Sequence, residues 1–171
     1  MSETTGPTIV EPAHALGPRA KTLWTITAAL MWIPVVIALI VWGAVLAATV
    51  TDPYWSPVVI TALAVAVAAS THVVVVPRWR HRVHRWEVST TAVHTRSGWF
   101  VQERRIAPLS RVQTVDTERG PLDRALGLAT VTVTTASSAG AVKIAALDLA
   151  TAERTAAAIT EAAARSRSDA T

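Results

Sequence analysis

Two stretches of this chain contain no Asp, Glu, Lys or Arg at all, residues 23–50 and 56–76. A bilayer hydrocarbon core about 30 Å thick needs about 20 apolar helical residues to cross. Both stretches are long enough. The rest of the composition agrees: 51% of the residues are hydrophobic and only 16% charged, against about 25% charged in an ordinary soluble domain. A cleaved secretory signal would have an apolar region of roughly 7–15 residues, and the first stretch here is longer and begins late. A chain of 171 residues also lacks the mass to bury two such helices on every side. The sequence therefore predicts two transmembrane helices, over 23–50 and 56–76.

The flanks set the orientation. Lys and Arg close to helix ends are retained on the cytoplasmic side. Arg19 and Lys21 precede the first helix, and Arg78, Arg80, Arg82 and Arg85 follow the second. The connection through Thr51, Asp52, Pro53, Tyr54 and Trp55 has neither Lys nor Arg. Both termini are expected in the cytoplasm. Tyr54 and Trp55 suit the outer interface, and Trp24 and Trp79 the inner one. Close packing in lipid favours small residues, so Gly43 and Ala47 are expected to face Ala62, Ala66 and Ser70. Pro34 is expected to kink the first helix.

His72 is the sole ionisable residue inside either predicted span. Such a residue is a candidate for proton or ion handling. Its position close to Pro77 favours a neutral interfacial histidine. The segment that follows, residues 78–85, alternates Arg with Trp, His and Val. Arg78, Arg80, Arg82 and Arg85 are candidate contacts for anionic lipid, at about 1 kcal/mol per basic residue. His81 and His84 lack a third ligand, and the chain has no Cys, so the metal signal is weak.

After residue 85 the pattern becomes that of a water-soluble domain. Short β-prone runs broken by turn residues predict strands over 86–89, 93–97, 99–106, 112–117, 129–135 and 142–146. Ala129, Val131 and Val133 alternate with Thr130, Thr132 and Thr134, the cleanest period of two in the chain. Leu149, Ala152, Ala156, Ile159 and Ala163 then recur at helical spacing, with Asp148 as the expected N-cap. Leu122 to Leu126 suits one helical turn, with Gly127 as a left-handed cap. The expected organisation is a flexible N-terminus over 1–20, a hairpin over 21–77, a basic juxtamembrane segment over 78–85, a mainly-β domain over 86–164 capped by its C-terminal helix, and a flexible tail over 165–171.

One ordered set of residues carries a resemblance. Ser110, Arg111, Val112 and Gln113, then Gly120, Pro121 and Leu122, then Arg124 to Thr130, then Thr134 to Ala136 resemble the core signature of the bacterial pleckstrin-homology (PH) family. The most similar branch is that of small YdbS-like membrane proteins, in which a two-helix hairpin precedes one such domain. Ala125 stands where a second basic residue is common, and Thr135, Ala136 and Ser137 where a glycine often follows. The resemblance implies a seven-strand barrel capped by a C-terminal helix, in a bacterial plasma-membrane protein. It also implies partners among membrane proteins carrying the same kind of domain, or self-association, and a link to envelope stress. Arg111, Gln113 and Arg124 are candidates either to organise the loop or to face a partner.

Chemistry beyond binding finds little support. There is no thiol, no nucleophile elbow and no phosphate-cradling loop among the seven scattered glycines. No cofactor and no enzymatic activity are expected. The net charge is only +4, and the basic residues cluster beside the membrane, so lipid and not nucleic acid is the expected polyanion. The leading expectation is a non-catalytic, membrane-anchored binding or scaffolding module. The alternative is a small transporter or channel subunit with His72 lining a pore.

Overall fold

The computed structural model describes residues 12–51, 54–98, 101–136 and 140–168. It opens with a two-residue strand, β1 (His14–Ala15). Three helices follow: α1 (Pro18–Met31), α2 (Ile33–Thr49) and α3 (Ser56–Val83). The break between α1 and α2 falls at Trp32, with Pro34 in the first turn of α2, where its missing N–H is not required. At 1.5 Å per residue, the 28 residues of α3 extend about 42 Å, more than the roughly 30 Å hydrocarbon core. α3 therefore leaves the membrane still helical, and Pro77 lies inside it with its ring buried.

The spanning parts present bare apolar side chains: Ile40, Leu63 and Val67 are 65%, 64% and 67% exposed. With lipid as solvent this is the stable arrangement, and the chain is a membrane protein with two spans. Of the small-residue contact expected between them, Gly43 takes part and the other four residues do not. The half-buried residues include Leu39, Gly43 and Leu46 on α2, and Val58, Thr61, Val65 and Ala69 on α3, while Ala47, Ala62, Ala66 and Ser70 are exposed. Trp55 and Val58 close on Gly43, and the face of Ala62, Ala66 and Ser70 is turned outward.

The soluble part has two antiparallel sheets. One orders β1, β2 (Arg85–Val88), β3 (Ala92–Ser97) and β4 (Glu103–Pro108). The other orders β5 (Val112–Glu118), β6 (Leu128–Thr135) and β7 (Val142–Asp148). The implied closed barrel is thus corrected to two packed sheets of four and three strands, because no ladder joins β4 to β5 or β1 to β7 among the described residues. The 3-10 turn Leu109–Arg111 connects the sheets. A short helix, α4 (Pro121–Leu126), ends at Gly127 in the left-handed conformation, φ 66°. Gly120 N–H donates to Asp123 Oδ2 at 2.9 Å, which caps the first turn of α4. The last helix, α5 (Leu149–Ser168), lays Ala152, Thr155, Ile159 and Ala163 into the core. Residues 165–168, expected as a loose tail, continue this helix.

The largest departure concerns the start of the chain. Residues 1–11 lie outside the described residues, but 12–20 are not a loose end. β1 pairs with β2, His14 opposite Trp86 and Ala15 opposite Arg85. Leu16, Ala20 and Trp24 join Val93, Leu128, Val131, Val133 and Ile159 in one core. The first part of α1 is therefore domain, and lipid-exposed apolar side chains begin at Leu30. The hairpin is inserted into the domain between its first and second strands, and both flanks of the hairpin lie on the same side of the membrane.

Candidate functional site

The junction between hairpin and domain is built by the basic segment itself. Since α3 stays helical to Val83, residues three and four apart share a face, and that face meets α1. The Arg80 guanidinium sits 4.5 Å from the centre of the Trp24 ring, and the His84 ring lies 4.9 Å from the same tryptophan. A cation over an indole face is attractive, more so when partly desolvated. His81 Nε2–H donates to the Leu16 carbonyl at 3.0 Å and lies 3.3 Å from that of Gly17. Arg85 donates to the carbonyls of His81 and His84. His84 Nδ1–H donates to the Arg80 carbonyl. Burial holds the His84 imidazole below its usual range, against the pull of that hydrogen bond, and Arg80 and His81 lower it further.

The four candidate lipid contacts therefore divide. Arg80 and Arg85 serve the junction. Arg78 and Arg82 are exposed, Arg78 also donating to the Val74 carbonyl at 2.7 Å. Trp24, expected at the headgroups, is 6% exposed inside the protein, whereas Trp79 is 49% exposed. A tryptophan at the second position of an apolar run reads as a membrane anchor; here the domain core supplies the apolar surroundings instead.

His72 is engaged within the hairpin. Its Nδ1 accepts from the Trp32 indole N–H at 3.1 Å, with the rings edge-on, so Nδ1 carries no proton in this arrangement. The bond spans the helix break. Its coupling energy, read from a double-mutant cycle of His72→Phe and Trp32→Phe, is expected near 0.6 kcal/mol, the usual size of such bonds in lipid. A coupling indistinguishable from zero in unfolding measurements would remove Trp32 as its partner.

The motif residues lie in two places. Arg111 ends the 3-10 turn and Gln113 sits at a bulge where the β5–β6 register shifts; both side chains are exposed. The Arg111 carbonyl accepts from Ala136 N–H at 3.1 Å. Arg124 is exposed on α4, beyond the other end of β5. At about 3.3 Å per residue, the seven residues of β5 hold Arg111 and Arg124 about 20 Å apart. They do not form one site.

Arg111 instead joins two arginines that the sequence reading passed over. A cleft of about 310 Å³ is lined by Arg104, Arg105 and Arg111, with Ile106, Pro108, Thr135, Gly140 and Val142. Among the described residues no carboxylate lines it. Arg105 grips Glu103 with two nitrogens at 2.7 and 2.6 Å, and donates to the Ala141 carbonyl at 3.0 Å. It thereby ties β4 to the start of β7. An adjoining hollow of about 290 Å³ adds Lys143 together with Glu103. The consecutive Arg104 and Arg105 in a run of poor alternation were the available signal. Planar guanidinium groups recognise carboxylate and phosphate oxygens, and that is the chemistry this edge can perform. A separate hollow of about 660 Å³ lies between the β2–β3 turn and α5, lined by Ser89, Thr90, Thr91, Ser110 and Ser166 beside Arg165, with Val88, Ala158 and Ala162. Among the described residues no three His, Cys, Asp or Glu side chains gather as a metal site.

A lipid-spanning hairpin, two small packed sheets and a closing C-terminal helix together define a membrane-tethered PH-like protein. The profile of the Bacterial PH domain family matches residues 20–163, and the chain belongs to that family. It is 34% identical over 128 residues to the transmembrane protein YdbS of Bacillus subtilis (strain 168), an alignment covering 75% of this chain and 79% of that protein. No solved structure matches it significantly.

Proposed function

We propose that this protein is a non-catalytic binding or scaffolding module at the cytoplasmic face of a bacterial plasma membrane. It acts as a subunit of a membrane complex whose other member is a second PH-like membrane protein or another copy of itself. The observation that carries the reading is the junction. Trp24, Arg80, His81 and His84 lock the domain onto the emerging helices, so it is presented at a fixed attitude, as suits a docking surface. Exposed Arg78 and Arg82, with Lys21 on the other flank, support the cytoplasmic side and contact with anionic headgroups. A role in envelope stress fits the family. A conducting role gains nothing from His72, whose Nδ1 is occupied by Trp32.

The test is photo-crosslinking in living membranes from a benzoylphenylalanine at position 113, with position 153 on the exposed side of α5 as control. The expected result is one reproducible protein adduct from 113 and none from 153. Lipid adducts alone from both positions would reject the docking module.

A further inference from the structure

We propose that the outer edge of β4, together with the Arg104–Arg111 cleft, docks an extended acidic segment of a partner protein. This rests on the module reading above and names the chemistry of the partner.

The sheet order leaves β4 paired with β3 and with no other described strand. An edge strand offers a row of main-chain donors and acceptors to an incoming strand. Alternation along β4 sends Ala107 into the core, 2% exposed, and turns Arg104 and Ile106 outward, Ile106 being 61% exposed. Leu109, fully buried, fixes the turn that follows. Arg111 is thereby brought to the same cleft as Arg104 and Arg105. Among the described residues no carboxylate lines the cleft; Glu103, the nearest in sequence, is held by Arg105 and lines the adjoining hollow with Lys143, so the described side chains here carry more positive than negative charge.

Charge complementarity calls for carboxylates, and guanidinium forks bind them with two parallel bonds. The strand edge calls for an extended backbone, and Ile106 for an apolar side chain between the acids. A lipid headgroup would use the charge but neither the edge nor Ile106. Headgroup contact is in any case available at Arg78, Arg82 and Trp79 beside the membrane. An alternating acidic and apolar strand uses all three features.

The experiment uses the full chain in phosphatidylcholine nanodiscs and a fluorescent peptide of alternating Glu and Val, with a Gln and Val peptide as control. The Glu peptide is expected to bind, and the Gln peptide not to. The double variant Arg104→Glu with Arg111→Glu should weaken binding about tenfold or more, while Arg104→Lys with Arg111→Lys retains most of it. Equal binding of the two peptides, or an unchanged affinity in the reversed variant, overturns the proposal. So does loss of peptide binding when phosphatidylglycerol is added to the discs, which would assign the arginines to lipid. A protein adduct from position 113 alongside such a failure leaves the module standing and this site wrong; failure of both rejects the module itself.

Discussion

Trp24→Ala is expected to destabilise the domain by about 3–5 kcal/mol, the usual cost of truncating a buried tryptophan. For a chain of this size that corresponds to a fall of about 10 °C in the unfolding midpoint. The ring belongs to the same core as Leu16, Ala20 and Leu128. It also carries Arg80 at 4.5 Å and His84 at 4.9 Å. Its removal leaves a cavity and strips a partly buried guanidinium of its partner, so the loss sits at the upper end of the range. Trp24→Phe keeps a ring under Arg80 and should cost less than half as much. The measurement is thermal unfolding of the full chain in nanodiscs, followed by protease resistance of the domain. A headgroup anchor would behave differently: Trp24→Ala would leave the midpoint where it was, and that outcome would remove α1 from the core.

The second large effect is expected at the other end of the chain. Ile159 is fully buried where α5 closes the two sheets. Ile159→Asp deletes the packing, worth about 2–5 kcal/mol. It also places a carboxylate with no partner in an apolar core, worth several kcal/mol more. The sum reaches the roughly 5–15 kcal/mol that holds a typical domain together. The domain should unfold while the hairpin stays in the membrane. Proteolysis of membrane fragments would then leave a protected piece containing α2 and the apolar part of α3, with the strands digested. Ile159→Val should lose about 0.5–1.5 kcal/mol and remain resistant. A resistant Ile159→Asp domain would mean that α5 is not part of the closing core.

What the sequence disclosed depended on whether a local pattern existed. Val131 and Val133 alternate with threonines, and they lie fully buried on β6. The spacing of Ala152, Ile159 and Ala163 is the buried face of α5. Gly127 was readable as a left-handed cap because a single residue type suits that conformation. Where the membrane gives way to the domain was not readable. Lipid and protein core are both apolar, so Leu23 and Trp24 look alike in either. β1 was hidden because two residues, set between Pro12 and Gly17, make no period. The stacking of Arg80 on Trp24 joins residues far apart in the chain and leaves no local trace. Of the candidate site, Arg111 was found from its motif. Arg104 and Arg105 were passed over because β4 alternates poorly and its inward face was obscure. Arg124 was grouped with Arg111 as part of the same motif, and a whole strand separates them.

The order in which the parts are made gives the insertion of the hairpin a further meaning. β1 and the first turns of α1 leave the ribosome before the membrane helices, yet every strand and helix they pack against is made afterwards. Leu16, Ala20 and Trp24 must wait, uncovered, until both helices have crossed and the chain has returned to its starting side. A chain that inserts one helix only, or threads its two ends to opposite sides, can never bring Leu16 to Leu128. Completion of the domain is thus a readout of correct insertion. Chains that insert wrongly keep three apolar side chains exposed near their beginning, the kind of surface that proteases and chaperones recognise.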